Sequence, residues 1–150
     1  DIGIYPAFLA LAMLGKPEAI SAKAKIGKTG VDEETEMTFT YASGTKAHLA
    51  SSIKIKTPSL ATFVCENGMI IMQGQFHMKD KVTTVQDGVK VNHDFGYKAK
   101  GYHFEIMHFA NLLRADKKES PIMTYDFSRL LIKTLDNVRE LIGLEYDVKG

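Results

Sequence analysis

Ile20-Ser21-Ala22-Lys23-Ala24-Lys25-Ile26 sets apolar or small side chains against polar ones with a period of two. Successive side chains on a strand point to opposite faces, so this stretch reads as a strand with one covered and one wet face. The period persists downstream. Met37, Phe39 and Tyr41 alternate with Glu36, Thr38 and Thr40, and beyond the turn Ala42-Ser43-Gly44-Thr45 the alternation continues through Ala47, Leu49, Ser51, Ile53 and Ile55. Strands are also expected at Ala61–Cys65 and Met69–Gln73, joined by Glu66-Asn67-Gly68, where Asn-Gly would supply the positive φ angles of a tight hairpin. Val82–Gln86 and Val89–Asn92 flank Asp87-Gly88, a second hairpin signal. The middle of the chain predicts an antiparallel meander.

On either side the period becomes helical. Ile2–Leu14 predicts a helix with Pro6 tolerated in its first turn and Gly15 as its stop. Tyr102–Ala115 is apolar on a broad face. A last helix aligns Phe127, Leu130, Leu131, Leu135, Val138, Leu141 and Ile142 on one stripe, with Gly143 as its C-cap. One helix before the meander and two after it predict the α+β class, a mostly antiparallel open sheet with helices packed on one face. No repeat, low-complexity run or linker interrupts the sequence, so residues 1–150 are expected to form one compact unit.

Composition narrows the function classes. The chain has 150 residues, 45% hydrophobic and 25% charged, with a net charge of +1, which gives no footprint for nucleic acid or an acidic partner. A single cysteine, Cys65, excludes an intrachain disulfide and suits a cytoplasmic location. The apolar stretch Ile4–Leu14 is shorter than the ~20 residues a membrane crossing needs, and no membrane partner is expected. The five histidines do not converge in sequence, so no metal site is expected. A strand followed by a G-x-G-x-x-G turn and a helix, the usual dinucleotide cradle, is absent from the sequence.

Asp1-Ile2-Gly3-Ile4-Tyr5 places a carboxylate and a phenol four residues apart, on one face of a first helical turn. That spacing fits an acceptor orienting a phenolic proton donor; it equally fits a helix N-cap followed by a core tyrosine. This stretch, followed by the Ala/Leu-rich helix and Gly15-Lys16-Pro17-Glu18, resembles the start of the C-terminal domain in the Gfo/Idh/MocA oxidoreductase family, in its glucose-fructose oxidoreductase and dihydrodiol dehydrogenase branch. Gly101-Tyr102-His103-Phe104-Glu105, Lys118-Glu119-Ser120-Pro121-Ile122 and Leu135-Asp136-Asn137-Val138-Arg139-Glu140-Leu141-Ile142-Gly143 resemble its terminal helices, in the family's order. The glycines that usually precede the D-x-x-x-[H/Y] motif are missing here.

The resemblance implies a substrate-binding and oligomerisation half whose Rossmann domain, with a catalytic lysine, lies N-terminal to this chain and binds NAD or NADP. It implies hydride transfer on a sugar, cyclitol or dihydrodiol-type polyol, a homodimer through the sheet, and no activity for these residues alone. It makes Tyr5 the catalytic proton donor and acceptor, with Asp1 orienting it or binding a substrate hydroxyl; many relatives carry histidine at the position of Tyr5. Tyr102, Glu105 and His108, at successive turns of one helix, are candidates to line a polar substrate pocket; the plain alternative is a surface ion pair beside a core aromatic. The rival class is a non-catalytic protein-interaction domain that uses the open face of an antiparallel sheet.

Overall fold

The structure, a computed structural model, describes residues 2–78, 81–96 and 101–146. Its elements run α1 (Ile4–Leu14), β1 (Ala19–Ile26), β2 (Asp32–Thr40), β3 (Lys46–Ser52), β4 (Ala61–Cys65), β5 (Gly68–Met72), β6 (Lys81–Gln86), β7 (Val89–Asp94), α2 (Tyr102–Arg114) and α3 (Tyr125–Leu141). The α+β class is as the sequence predicts. The strands fall into two antiparallel meanders, β1-β2-β3 and β4-β5-β6-β7, and the chain forms two compact units, Asp1–Thr57 with Met123–Gly150, and Pro58–Ile122.

The sheets separate where β3 stops. Ile53 and Ile55, expected to continue the strand, lie beyond its end and are exposed. Ser52 Oγ accepts hydrogen bonds from the N–H groups of Lys54 at 3.0 Å and Ile55 at 3.1 Å, so a side chain takes the donors that a longer strand would have offered to a neighbour. Pro58, with no N–H to give, follows shortly after.

In the first unit, period-two patterning becomes a two-faced sheet. Met37 pairs with Ala22 on one side and Leu49 on the other, and Phe39 with Ile20 and Ala47. These side chains turn inward, and α1 and α3 cover them with Ala7, Ala10, Leu11, Leu131 and Val138. Phe39 and Leu11 are the largest fully buried side chains. Phe8 meets Phe127 edge-on with ring centroids 5.4 Å apart, tying α1 to α3. Tyr41 O–H, buried just past the end of β2, donates to the Ala10 carbonyl at 3.4 Å. The opposite face is polar: Lys23 and Lys25 pair with Glu36 and Glu34 at 2.9 and 2.8 Å, and Thr38 Oγ1 lies 3.1 Å from His48 Nδ1. The bond to Glu34, and then its charge, raise the Lys25 pKa above the usual 10.5.

α3 ends as predicted. Gly143 has φ of 65°, and its N–H reaches the Glu140 carbonyl at 3.1 Å while the Leu144 N–H reaches Arg139 at 3.0 Å, the paired bonds of a Schellman end closed by the buried Leu144.

The second unit carries β4 to β7 and α2. Asp87 and Gly88, with φ of 50° and 78°, form the expected two-residue turn between Gln86 and Val89. The other hairpin differs. Cys65 pairs with Gly68, so the turn residues are Glu66 and Asn67, and Asn67 does not adopt positive φ. Gly68 serves the sheet: a Cβ there would lie 2.0 Å from the Val85 carbonyl oxygen of β6, and only a glycine admits that approach.

Candidate functional site

Tyr5 is the second residue of α1, outside the set Ala7, Ala10 and Leu11 that the helix buries. It is 46% exposed, so the core-tyrosine reading of this spacing does not hold. The N-cap is Gly3, with no side-chain bond; Asp1 lies outside the described residues. A Cβ on Gly3 would lie 3.4 Å from Ser51 Oγ and 3.9 Å from Met37 Cε, so the helix start seats closely on β2 and β3. Pro6, in the first turn, forgoes an N–H that has no helical partner there. The Gly15 N–H closes the other end on the Leu11 carbonyl at 2.9 Å. Tyr5 is therefore held by backbone that is anchored at both ends while its ring stays outside the core.

Tyr102, Glu105 and His108 belong to the second unit, on α2. Three-residue spacing puts them on successive turns. His108 is half-buried, and its Nε2 lies 2.9 Å from Ser120 Oγ, which also accepts from the Ile122 N–H at 3.0 Å. The hydroxyl thus fixes the imidazole plane and leaves Nδ1 as the ring's second polar atom. Glu105 is exposed on the first turn of α2, and Tyr102 is 64% exposed. The ion pair and core aromatic of the plain alternative are not the arrangement found. Ser120 was not singled out from the sequence; it stands in Lys118-Glu119-Ser120-Pro121-Ile122, a segment that carried the family resemblance.

A groove of about 430 Å³ in the first unit runs between Lys16–Ile20 and α3, lined by Lys16, Glu18, Arg129, Lys133 and Asn137 among others. None of the sequence-predicted site residues lines it. Its Arg129 is paired with Asp126 at 2.8 Å, so its charges are partly balanced in place. Among the described residues, no cluster of three or more His, Cys, Asp or Glu side chains is placed to hold a metal ion, and no helix is long and apolar enough to cross a membrane.

Residues 1–71 match the family model for the GFO/IDH/MocA C-terminal domain. Across 97% of its length the chain is 27% identical to trans-1,2-dihydrobenzene-1,2-diol dehydrogenase of Xenopus tropicalis and 29% identical to that of Mus musculus, covering 47% and 46% of those proteins. It is 28% identical to the scyllo-inositol 2-dehydrogenase (NADP(+)) IolU of Bacillus subtilis, covering 44% of it. The fold matches the UDP-N-acetylglucosamine 3-dehydrogenase GnnA of Acidithiobacillus ferrooxidans with a TM-score of 0.81 at 18% identity, over 95% of this chain and 46% of that one. An aldose-aldose oxidoreductase from Caulobacter crescentus matches with a TM-score of 0.78 at 13% identity, over 93% and 43%. The chain spans about half the length of the curated relatives it matches. Residues 1–71 thus resemble the C-terminal domain of the GFO/IDH/MocA family, and nearly the whole chain resembles its dihydrodiol and inositol dehydrogenases.

Proposed function

We propose that this chain is the substrate-binding and oligomerisation domain of a cytoplasmic, NAD(P)-dependent oxidoreductase that acts on a sugar, cyclitol or dihydrodiol-type polyol by hydride transfer. The observation that carries this reading is Tyr5. It stands in the family's D-x-x-x-[H/Y] position within the matched segment, on a first helical turn seated against the sheet, with its ring outside the core. A phenol so held can give a proton to, or take one from, a substrate oxygen. Its ordinary pKa of ~10 requires a neighbouring cation to make that exchange fast near neutrality, and a lysine of the nucleotide-binding domain would supply it. Asp1 would orient the phenol or bind a substrate hydroxyl. In the second unit, Glu105, His108 and the Tyr102 hydroxyl are candidates to bind polyol hydroxyls, His108 through an imidazole already set by Ser120.

The strands described are all antiparallel, and the sequence holds no G-x-G-x-x-G turn. These residues do not fit a dinucleotide cradle, so NAD or NADP would be bound mainly by an N-terminal Rossmann domain. The homodimer would form through sheet faces. The β4–β7 sheet supports this, because Val64 and Met69 are opposed on adjacent strands and both exposed.

The test is Tyr5→Phe in the polypeptide that carries both halves. Loss of polyol-dependent NAD(P) reduction with unchanged thermal unfolding is expected. Near-normal turnover would remove Tyr5 from the mechanism. The rival reading, a non-catalytic interaction domain, predicts that no nucleotide-binding half is encoded with this chain.

A further inference from the structure

The groove between Lys16–Ile20 and α3 is built wholly from the first unit, and it holds a polar group that the fold does not use. Thr134 is 4% exposed, yet its hydroxyl has no hydrogen-bond partner among the described residues. Ser128, on the same helix, gives its own hydroxyl to the Thr124 carbonyl at 2.9 Å. Burying a hydroxyl unpaired costs about 1–3 kcal/mol. Among the described residues, no side-chain polar atom is both unpaired and sealed from solvent. The Thr134 hydroxyl therefore keeps an opening, and the groove it lines is that opening. Arg129, Lys133 and Asn137 stand beside it, four residues apart on one face of α3. Arg129 is taken by Asp126. The Lys133 and Lys16 ammonium groups and the Asn137 amide pair with nothing among the described residues. Against these two cations stands the single unpaired carboxylate of Glu18, so the groove carries a positive field.

We propose that this groove binds a small organic oxyanion that also carries hydroxyls, of the kind found in a sugar acid or a sugar phosphate. Its carboxylate or phosphate sits between Lys16 and Lys133 and accepts from Thr134 Oγ1. Hydrogen bonds with one ionised partner are the strong ones, and the Thr134 hydroxyl gives up no bond of its own to make one. The neighbouring hydroxyls of the ligand donate to the Glu18 carboxylate and the Asn137 amide oxygen, while Ile20 and Leu130 offer its C–H face an apolar wall. A volume of about 430 Å³ suits a metabolite, and two free cations are too few to track a nucleic-acid backbone. The groove is separate from the candidate catalytic position. Tyr5 stands in the first turn of α1, and the groove begins beyond the last, nine rises or about 14 Å along the axis. Neither the nucleotide nor the polyol of the proposed reaction takes part in this binding.

The test is calorimetric titration of the full polypeptide encoded by the gene with D-gluconate and with D-glucose 6-phosphate, D-glucose and inorganic phosphate serving as references. At least one of the two sugar anions should saturate with a Kd below ~1 mM, and which one does so tells carboxylate from phosphate. Both references should bind at least ~10-fold more weakly than it, glucose for want of charge and phosphate for want of hydroxyls. Lys133→Gln and Thr134→Val should each weaken the anion ~10-fold or more, as the loss of a charge-assisted bond does. Tyr5→Phe should leave its affinity unchanged. Because the Thr134 hydroxyl has no partner in the fold, Thr134→Val should not lower the thermal unfolding temperature. A lowered one would show that the hydroxyl serves the fold and would overturn the site. So would the absence of saturation by either sugar anion at ~10 mM, full affinity in both groove variants, or inorganic phosphate binding as tightly as the better sugar anion. Loss of the anion in Tyr5→Phe, with Lys133→Gln unaffected, would move it to the catalytic position and overturn the groove as well.

Discussion

Tyr41 donates its buried O–H to the Ala10 carbonyl, whereas Tyr5 keeps its ring outside the core, and the two phenols answer to different tests. Burial raises the Tyr41 pKa above the ordinary 10.0. Between those values the unfolded chain has lost this proton and the folded chain has kept it. The stabilisation is therefore complete below about pH 10 and is lost as pH rises through the folded value. Tyr41→Phe should cost about 0.5–1 kcal/mol at neutral pH for the lost hydrogen bond and flatten the alkaline fall. Urea unfolding at about pH 8 and about pH 11 checks this; identical pH slopes in both proteins would dismiss it. Tyr5→Phe should leave stability within about 0.5 kcal/mol, as for exposed positions generally, while lowering turnover of the two-domain enzyme about 10²-fold or more, read by steady-state kinetics. The sequence made Tyr5 a candidate through its spacing from Asp1. It did not decide between core and surface, because helical periodicity leaves an aromatic near the edge of an apolar face free to fall either way.

Two helix ends in this fold solve one geometric problem with different residues. α3 turns out through Gly143, while α2 uses Asp116, with φ of 50°. The Asp116 and Lys117 N–H groups reach the carbonyls of Leu113 and Leu112 at 3.1 and 2.9 Å. A side chain in the left-handed region is strained where glycine is not. Asp116→Gly should therefore stabilise the second unit by about 0.5–1 kcal/mol, measured as a rise in the urea midpoint; a fall would show that the Asp116 side chain contributes more than its backbone costs. Gly143 and the Asp87-Gly88 turn were legible in the sequence because local conformation alone calls for those residue types. Asn67-Gly68 misled for the same reason: the glycine answers to the Val85 carbonyl of a third strand, and no local pattern reveals that neighbour. Ile53 and Ile55 misled because the alternation ran on past Ser52, whose hydroxyl takes the following N–H groups.

At the scale of the whole molecule, the strand count, the helix order and the covered inner face all follow from the two periodicities. The division into two sheets does not, since which strands pair is decided by long-range registry. For assembly, the proposed dimer predicts a light-scattering mass that falls from two chains to one on dilution. It also predicts that Val64→Lys with Met69→Glu yields a monomer at tens of micromolar without loss of helix or strand signal in circular dichroism; a single-chain mass for the unmodified protein at that concentration would refute it. The first unit is built from both ends of the sequence, with the second unit's residues placed between them. On a ribosome, Phe39 thus emerges long before Leu131 and Val138 can cover it. At ~5–20 residues per second the gap of about 90 residues lasts roughly 5–20 s. Throughout that interval only α1, already synthesised, can cover Met37 and Phe39 of the nascent β1–β3 ribbon, while β4–β7 is synthesised and can pair locally. The second meander can therefore be complete before the first has its full core, and a stall in translation before α3 would leave a half-covered chain that chaperones, rather than its own final helix, must shield.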